Sequence, residues 1–323
     1  MLEMGTGAPL KGARLNRVRE FLAVRGLRMG DDAEYTVCLF DEREELVGTG
    51  SLSANVLKYI AVAEDVQGEG ACAKIVSELV SFAYRQGRAH LFVFTKPQNE
   101  KQFRALGFYP IVSTEEAMLL ENDRRGLSTF LNSLPRGNGG VVGAAVVNCN
   151  PFTLGHAYLL ETAAGMVDWL HVFVLSENRS HFDAQERYLL VREGTKRLKN
   201  VFVHRSADYL ISSATFPTYF MKESADSAAI NADLDILLFA ERIAPALNIT
   251  KRFVGTEPFC AVTRAYNERM KAVLPKYGIE LVEIERKDGI SASEVRRLMA
   301  AGDMEGVRRL VPECTYEYLY GGR

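Results

Sequence analysis

Apolar residues follow two different patterns on either side of Asn132–Gly140, NSLPRGNGG, a stretch rich in Pro, Gly and Asn that predicts a linker or long turn. Before it, short β-like runs mix irregularly with helical ones. Tyr35–Phe40 and Leu46–Leu52 flank DEREE and predict a hairpin, and Leu57–Ala63 predicts a third strand. Ala71–Arg85 carries Ile75, Leu79, Phe82 and Ala83 at helical spacing. His90–Thr95 predicts a strand, Asn99–Leu106 a short helix and Phe108–Ser113 another strand. After the break the pattern becomes regular alternation. Val141–Val147 is a continuous apolar run, the kind buried on both faces of a parallel sheet. Helices are then expected at His156–Met166, Ala184–Arg197, Ser224–Ile243, Val262–Val273 and Ser293–Ala300. Strands are expected at Leu170–Ser176, Val201–His204, Arg252–Gly255 and Ile279–Ile284.

The expectation is therefore an α/β chain. A mixed-sheet domain over residues 1–134 is joined by a linker, 135–140, to a doubly wound, parallel-sheet domain over 141–323. A length of 323 residues suits two domains. The net charge of −2, with basic residues dispersed, points to no nucleic-acid partner. No apolar run is long enough to cross a bilayer, and MLEMGTGAPLKGARLNR lacks the apolar core of a signal peptide. Cys38, Cys72, Cys149, Cys260 and Cys314 are odd in number and widely spaced, which argues against a disulfide framework or a cysteine metal site. The expected location is the cytoplasm, with no membrane partner and no protein-held metal.

Candidate chemistry concentrates where strands give way to helices. Asn150-Pro151-Phe152-Thr153-Leu154-Gly155-His156 lies between the first parallel strand and its helix. The unpaired N–H groups and dipole of that helix start favour an anion. Gly155 leaves room for a nucleotide against the backbone, and His156 offers a hydrogen bond to a phosphate, with charge if protonated. Ile290–Arg296, ISASEVR, is a second serine-rich turn opening a helix. Ser291-x-x-Glu294 is also a capping box, and one helix start can serve both purposes. Gly255-Thr256-Glu257 follows a strand end, a place suited to adenine or ribose contacts. In the first half, Gln67-Gly68-Glu69-Gly70-Ala71-Cys72 forms a glycine turn before a helix, where consecutive amides can cradle a pyrophosphate.

These segments carry a resemblance. Thr153-Leu154-Gly155-His156 resembles the T/H-x-G-H motif of the nucleotidyltransferase superfamily, and ISASEVR its second signature. Gln67–Cys72 resembles the coenzyme A pyrophosphate motif of GNAT acetyltransferases, with Cys72 in place of the usual last small residue; Asn99 and Phe103–Tyr109 look like that fold's later motif. The combination, with GAAVVNCNPFTLGH, SATFPTYFMK and RFVGTEPFCAVTRAYNERM, resembles the [citrate (pro-3S)-lyase] ligase family along nearly the whole chain. The resemblance implies an ATP-dependent, AMP-forming acid–thiol ligase. It would activate acetate as acetyl-adenylate and acetylate the thiol of a dephospho-coenzyme A-derived group on the citrate lyase acyl carrier subunit. It implies His156, Arg296 and Lys222 as catalytic residues. Asn150, Pro151, Phe152, Thr153, Gly155, His156, Gly255, Thr256, Glu257, Ile290, Ser291, Ser293 and Arg296 would surround ATP, with Mg²⁺ held by the phosphates and water. Gln67, Gly68, Gly70, Ala71 and Cys72 would hold the coenzyme A-like group. Related adenylyltransferases carry a lysine shortly before the stretch matching FDAQERYLLV; Arg179 and His181 stand there instead. The residues also suit an adenylyl- or cytidylyltransferase of the phosphopantetheine type, a bifunctional protein with a working N-acetyltransferase, or a binding protein with dead sites.

Overall fold

The computed structural model describes residues 2–68, 70–176, 180–210, 225–258, 260–287 and 289–321. The chain divides into two compact units, Met1–Gly126 and Leu127–Arg323. The division falls at the first residue of the helix Gly126–Ser133.

The first unit is a seven-stranded sheet with strands in the order β1-β2-β3-β4-β5-β7-β6. Its strands are β1 (Glu3–Gly7), β2 (Tyr35–Phe40), β3 (Leu46–Ser53), β4 (Val56–Val62), β5 (Phe92–Thr95), β6 (Tyr109–Ser113) and β7 (Met118–Glu121). Neighbours are antiparallel except β4 and β5. Those two run parallel and pair only at Val56↔Phe92 and Leu57↔Val93 among the described residues. Beyond Leu57 they part, and the glycine turn follows the free end of β4. The helix α2 (Ala71–Arg85) buries Ile75, Leu79 and Ala83 on one face of the sheet, against Val37, Leu39, Leu57 and Val93. The helix α1 (Gly12–Ala23) covers the other face with Val18 and Leu22, against Cys38 and Met29.

The second unit is a five-stranded, all-parallel sheet in the order β10-β9-β8-β11-β12. Its strands are β8 (Val142–Val147), β9 (Trp169–Val174), β10 (Val201–Arg205), β11 (Ile249–Gly255) and β12 (Glu280–Ile284). The chain steps outward from β8 to β10, then returns to lay β11 on the other side of β8. That reversal is a topological switch point, and in such sheets ligands bind beyond the carboxyl ends of the strands there. Helices Leu154–Ala164 and Ala184–Thr195 bury Leu160, Ala163, Leu190 and Val191 against Ala145, Val147, Val172 and Val174 on one sheet face. On the other face the helix Ala225–Leu238 passes through a π-helical turn, Phe239–Ile243, into Ala244–Leu247.

The predicted strand and helix positions agree with these elements to within a few residues. Expectation missed β1, α1 and β7 in the first unit, and the helices Met304–Arg308 and Glu313–Tyr320 that follow Ala292–Ala300 in the second. β1 is EMGTG, with two glycines and no apolar alternation, and β7 is only four residues long.

Candidate phosphate site at the switch point

The segment after β8 is built to a tight specification. Cys149 has φ +51°, and the Asn150–Pro151 peptide is cis. Thr153 caps the helix Leu154–Ala164: its Oγ1 accepts the His156 N–H at 3.3 Å, and its own N–H donates to His156 Nδ1 at 3.1 Å. His156 therefore occupies the third helical position of a reciprocal capping box. Because Nδ1 accepts a backbone N–H, the neutral ring carries its proton on Nε2, which is the atom left to donate to a ligand. Burial, and secondarily the Arg286 charge, push the His156 pKa down to about 4. At neutral pH the ring is therefore uncharged, and the charge expected of it if protonated is not supplied.

The two motifs meet. A Cβ on Gly155 would lie 3.3 Å from the Ile290 carbonyl oxygen and 3.5 Å from Ile290 Cβ. The missing side chain thus admits the second motif against the first. Arg296 donates through Nη1 to the Asn150 carbonyl and through Nη2 to Ser293 Oγ at 3.0 Å. Ser291 caps its helix by accepting the Glu294 N–H at 3.1 Å, while the Glu294 carboxylate turns to Arg297. Only half of the expected capping box forms.

Several candidates hold the loop rather than line it. Phe152 is fully buried, with its carbonyl accepting from Thr315 Oγ1 at 3.0 Å. Asn150 Oδ1 accepts the Phe182 N–H at 3.1 Å. Glu186-Arg187, a weaker candidate in the sequence, proves structural at Arg187, the bulkiest fully buried side chain among the described residues: its Nη1 donates to the Asn148 carbonyl (3.0 Å) and Asn148 Oδ1 (2.8 Å), and its Nε to the Phe182 carbonyl (3.1 Å). Sequence reasoning did not foresee the Leu154 N–H to Leu310 carbonyl bond (2.9 Å), by which the C-terminal helices back the first motif. A basic residue inside an apolar helical stripe, as in ERYLLV, was the available signal for Arg187.

At the ends of β11 and β12, a Cβ on Gly255 would meet nothing within 4 Å. Thr256 and Glu257 both bind Arg286. Its Nε donates to the Thr256 carbonyl (2.8 Å), its Nη2 to Glu257 Oε2 (2.5 Å) and its backbone N–H to Thr256 Oγ1 (3.2 Å). Lys222 and Arg179 lie outside the described residues. Among the described residues no group of three or more His, Cys, Asp or Glu side chains is placed to hold a metal ion, and no helix is long and apolar enough to cross a membrane.

In the first unit, Gly68 (φ +89°) and Gly70 (φ +77°) give the turn its shape, and a Cβ on either would meet nothing within 4 Å. Gly70 is the N-cap of α2 and supplies no side-chain hydrogen bond, leaving the first amides of α2 without a side-chain cap. Ala71 is buried, and burial raises the Cys72 thiol to about 11.

Residues 142–319 match the model of the citrate lyase ligase C-terminal domain. The [citrate [pro-3S]-lyase] ligase of Klebsiella pneumoniae is 42% identical over 95% of this chain and 92% of its own length. The chain belongs to the citrate lyase ligase family. The enzyme of the same name from Escherichia coli K12 is 39% identical over 95% of this chain and 90% of its own. Family membership extends over both units, so the glycine turn and the candidate phosphate site belong to one family chain. Thermotoga maritima TmcAL, solved with alpha-thio ATP, is 17% identical over 55% of each chain, with a TM-score of 0.40.

Proposed function

We propose that this chain is an ATP-dependent, AMP-forming acid–thiol ligase that acetylates the prosthetic-group thiol of the citrate lyase acyl carrier subunit. The observation that carries the reading is the junction of the two motifs at the switch point, with Ile290 against Gly155 and Arg296 on the Asn150 carbonyl. Two helix N-termini, a neutral Nε2–H and a guanidinium then converge where a polyphosphate would lie.

Acetate is ionised at neutral pH and needs no base. Its oxygen attacks the α-phosphorus, the bond to the β-phosphate oxygen breaks, and pyrophosphate leaves. The chain's task is to orient and to stabilise phosphate charge. His156 Nε2–H and Arg296 do this, with Ser291, Ser293 and the first amides of both helices. Lys222 is assigned the same duty on the sequence alone. Mg²⁺ would be held by the phosphates and water. In the second step the thiolate attacks the acetyl carbonyl, and AMP leaves. The Gln67–Cys72 turn is proposed to hold the pyrophosphate of the dephospho-coenzyme A-derived group, in support of which stand the open space at Gly68 and Gly70 and the uncapped amides of α2. Free cysteines throughout the chain accord with a cytoplasmic setting.

ATP–pyrophosphate exchange tests the reading. Exchange should depend on acetate. Exchange supported by phosphopantetheine and not by acetate would replace the ligase with an adenylyltransferase.

A further inference from the structure

We infer that Arg187 is a positioning residue for the candidate phosphate site: it holds the loop between β8 and the helix that begins at Leu154 in the backbone arrangement that an anion needs. The inference rests on the ligase reading above. A loop that faces phosphates must keep its carbonyl oxygens turned to other donors, because a carbonyl dipole aimed at a phosphate repels it. The demand is acute here, since Pro151 brings a carbonyl and no N–H. Three alternate carbonyls of the loop are each taken by a side chain from a different helix. Asn148 gives its carbonyl to Arg187 Nη1 at 3.0 Å, Asn150 to Arg296 Nη1, and Phe152 to Thr315 Oγ1 at 3.0 Å.

Arg187 holds the loop at more than this one atom. Its Nη1 also donates to Asn148 Oδ1 at 2.8 Å and its Nε to the Phe182 carbonyl at 3.1 Å, while the Phe182 N–H donates to Asn150 Oδ1 at 3.1 Å. Asn148 and Asn150 are thereby tied to the same point, one directly and one through Phe182. Between them Cys149 stands at φ +51°. A non-glycine residue in that left-handed region is strained, and it persists only where its surroundings over-determine it. The support under Arg187 is itself firm. Asp183 Oδ1 accepts the Glu186 N–H at 2.7 Å and the Asp183 N–H donates to Glu186 Oε2 at 2.9 Å, which fixes the first turn of the helix from which Arg187 projects. Leu190 and Val191 bury the next turn against the sheet. Arg187 is 0% exposed, so it acts on a nucleotide only through the loop. A methionine would fill much the same volume without the hold on the two asparagines.

Arg187→Met, Arg187→Lys and Asn148→Ala, compared by circular dichroism, calorimetric ATP binding and acetate-dependent exchange, test the role. At a temperature where circular dichroism shows each variant folded, Arg187→Met should bind ATP more weakly. Its exchange kcat at saturating ATP should fall by about 10²-fold, the cost of a displacement of the order of an ångström. Lysine has the charge but not the planar fork, so Arg187→Lys should recover little of the loss. Asn148→Ala should lose less than Arg187→Met, and adding it to Arg187→Met should cost little more, because Arg187 acts through Asn148. An arginine that only stabilises the fold would leave the folded variants with wild-type kcat and ATP affinity. That result, recovery to wild type with lysine, or additive losses in the double variant would overturn the assignment. Should Arg187→Met not fold, Asn148→Ala carries the test by itself, and a wild-type kcat in that folded variant overturns the assignment. ATP binding needs no acetate. If wild-type exchange fails to depend on acetate, the ligase reading falls while the ATP-binding comparison still decides the part of Arg187.

Discussion

At the residue scale, His156 does two jobs with two nitrogens. Nδ1 closes the capping box with the Thr153 N–H, and this fixes which nitrogen carries the proton. Alanine at 156 therefore removes both a structural bond and the proposed phosphate donor. Loss of the donor should lower acetate-dependent exchange by about 10²–10³-fold, and loss of the reciprocal cap should cost about 1 kcal/mol in a thermal melt. Thr153→Ala separates the two jobs. It removes the Oγ1 acceptor, and with it the Oγ1 contact to Nδ1 at 2.9 Å, but leaves the backbone N–H on Nδ1 and Nε2–H in place, so stability should fall by about 1 kcal/mol while exchange falls far less than in His156→Ala. Equal losses of exchange in the two variants would show that helix capping, not Nε2–H donation, limits the reaction. A lone histidine at a helix start is usually structural; the T-x-G-H segment was legible only because the whole segment and its partner ISASEVR stand in one family's order. The tautomer was not, because it depends on which backbone N–H reaches which ring nitrogen.

Among the elements, the edge pair β9–β10 holds a second histidine feature. His171 Nδ1 and His204 Nε2 are 2.9 Å apart and buried, and His171 Nε2 has no hydrogen-bond partner among the described residues. Burial pushes the two pKa values down to about 4 and about 3. In this range the unfolded chain binds more protons than the folded one, so stability rises with pH. The contribution is complete above the ordinary value near 6.5 and is lost as pH falls towards 4, at up to about 1.4 kcal/mol per pH unit for each ring. Melting temperatures should drop between pH 7 and 5, and His171→Phe/His204→Phe should flatten most of that slope, leaving the part due to His156. An unaltered slope would mean that other groups dominate acid unfolding. Sequence pattern located β9 and β10 but not the pairing, since register across parallel strands is set by distant helices. It also missed α1, whose Leu15, Val18 and Leu22 stripe lies among arginines and glutamates. It did locate β8, because a run of small apolar residues has no solvent-facing alternative.

For the whole molecule, the two halves were legible as different folds because an irregular mix of strands and helices gives way to regular alternation, and the helix Gly126–Ser133, at which the contacts divide, precedes the Pro- and Gly-rich stretch that marks this change in the sequence. The proposed division of labour assigns acetate activation to the second unit and presentation of the carrier's thiol to the first. Gly70→Val tests it. Valine at φ +77° costs about 1–3 kcal/mol of backbone strain, and its side chain stands in open space in front of the first amides of α2. Gly87, just beyond the other end of α2, has φ +74° and equally open surroundings, so Gly87→Val imposes the same strain without touching the turn. Acetyl transfer to the carrier thiol should fall by about 10-fold or more in Gly70→Val, since misplacing a bound group by an ångström costs that much. Acetate-dependent exchange should stay near wild type in both variants, and Gly87→Val should keep transfer as well. If Gly70→Val loses exchange together with transfer while Gly87→Val keeps both, the turn serves activation too. If both variants lose transfer alike, strain in α2 is the cause, and the turn has no claim on the carrier's pyrophosphate.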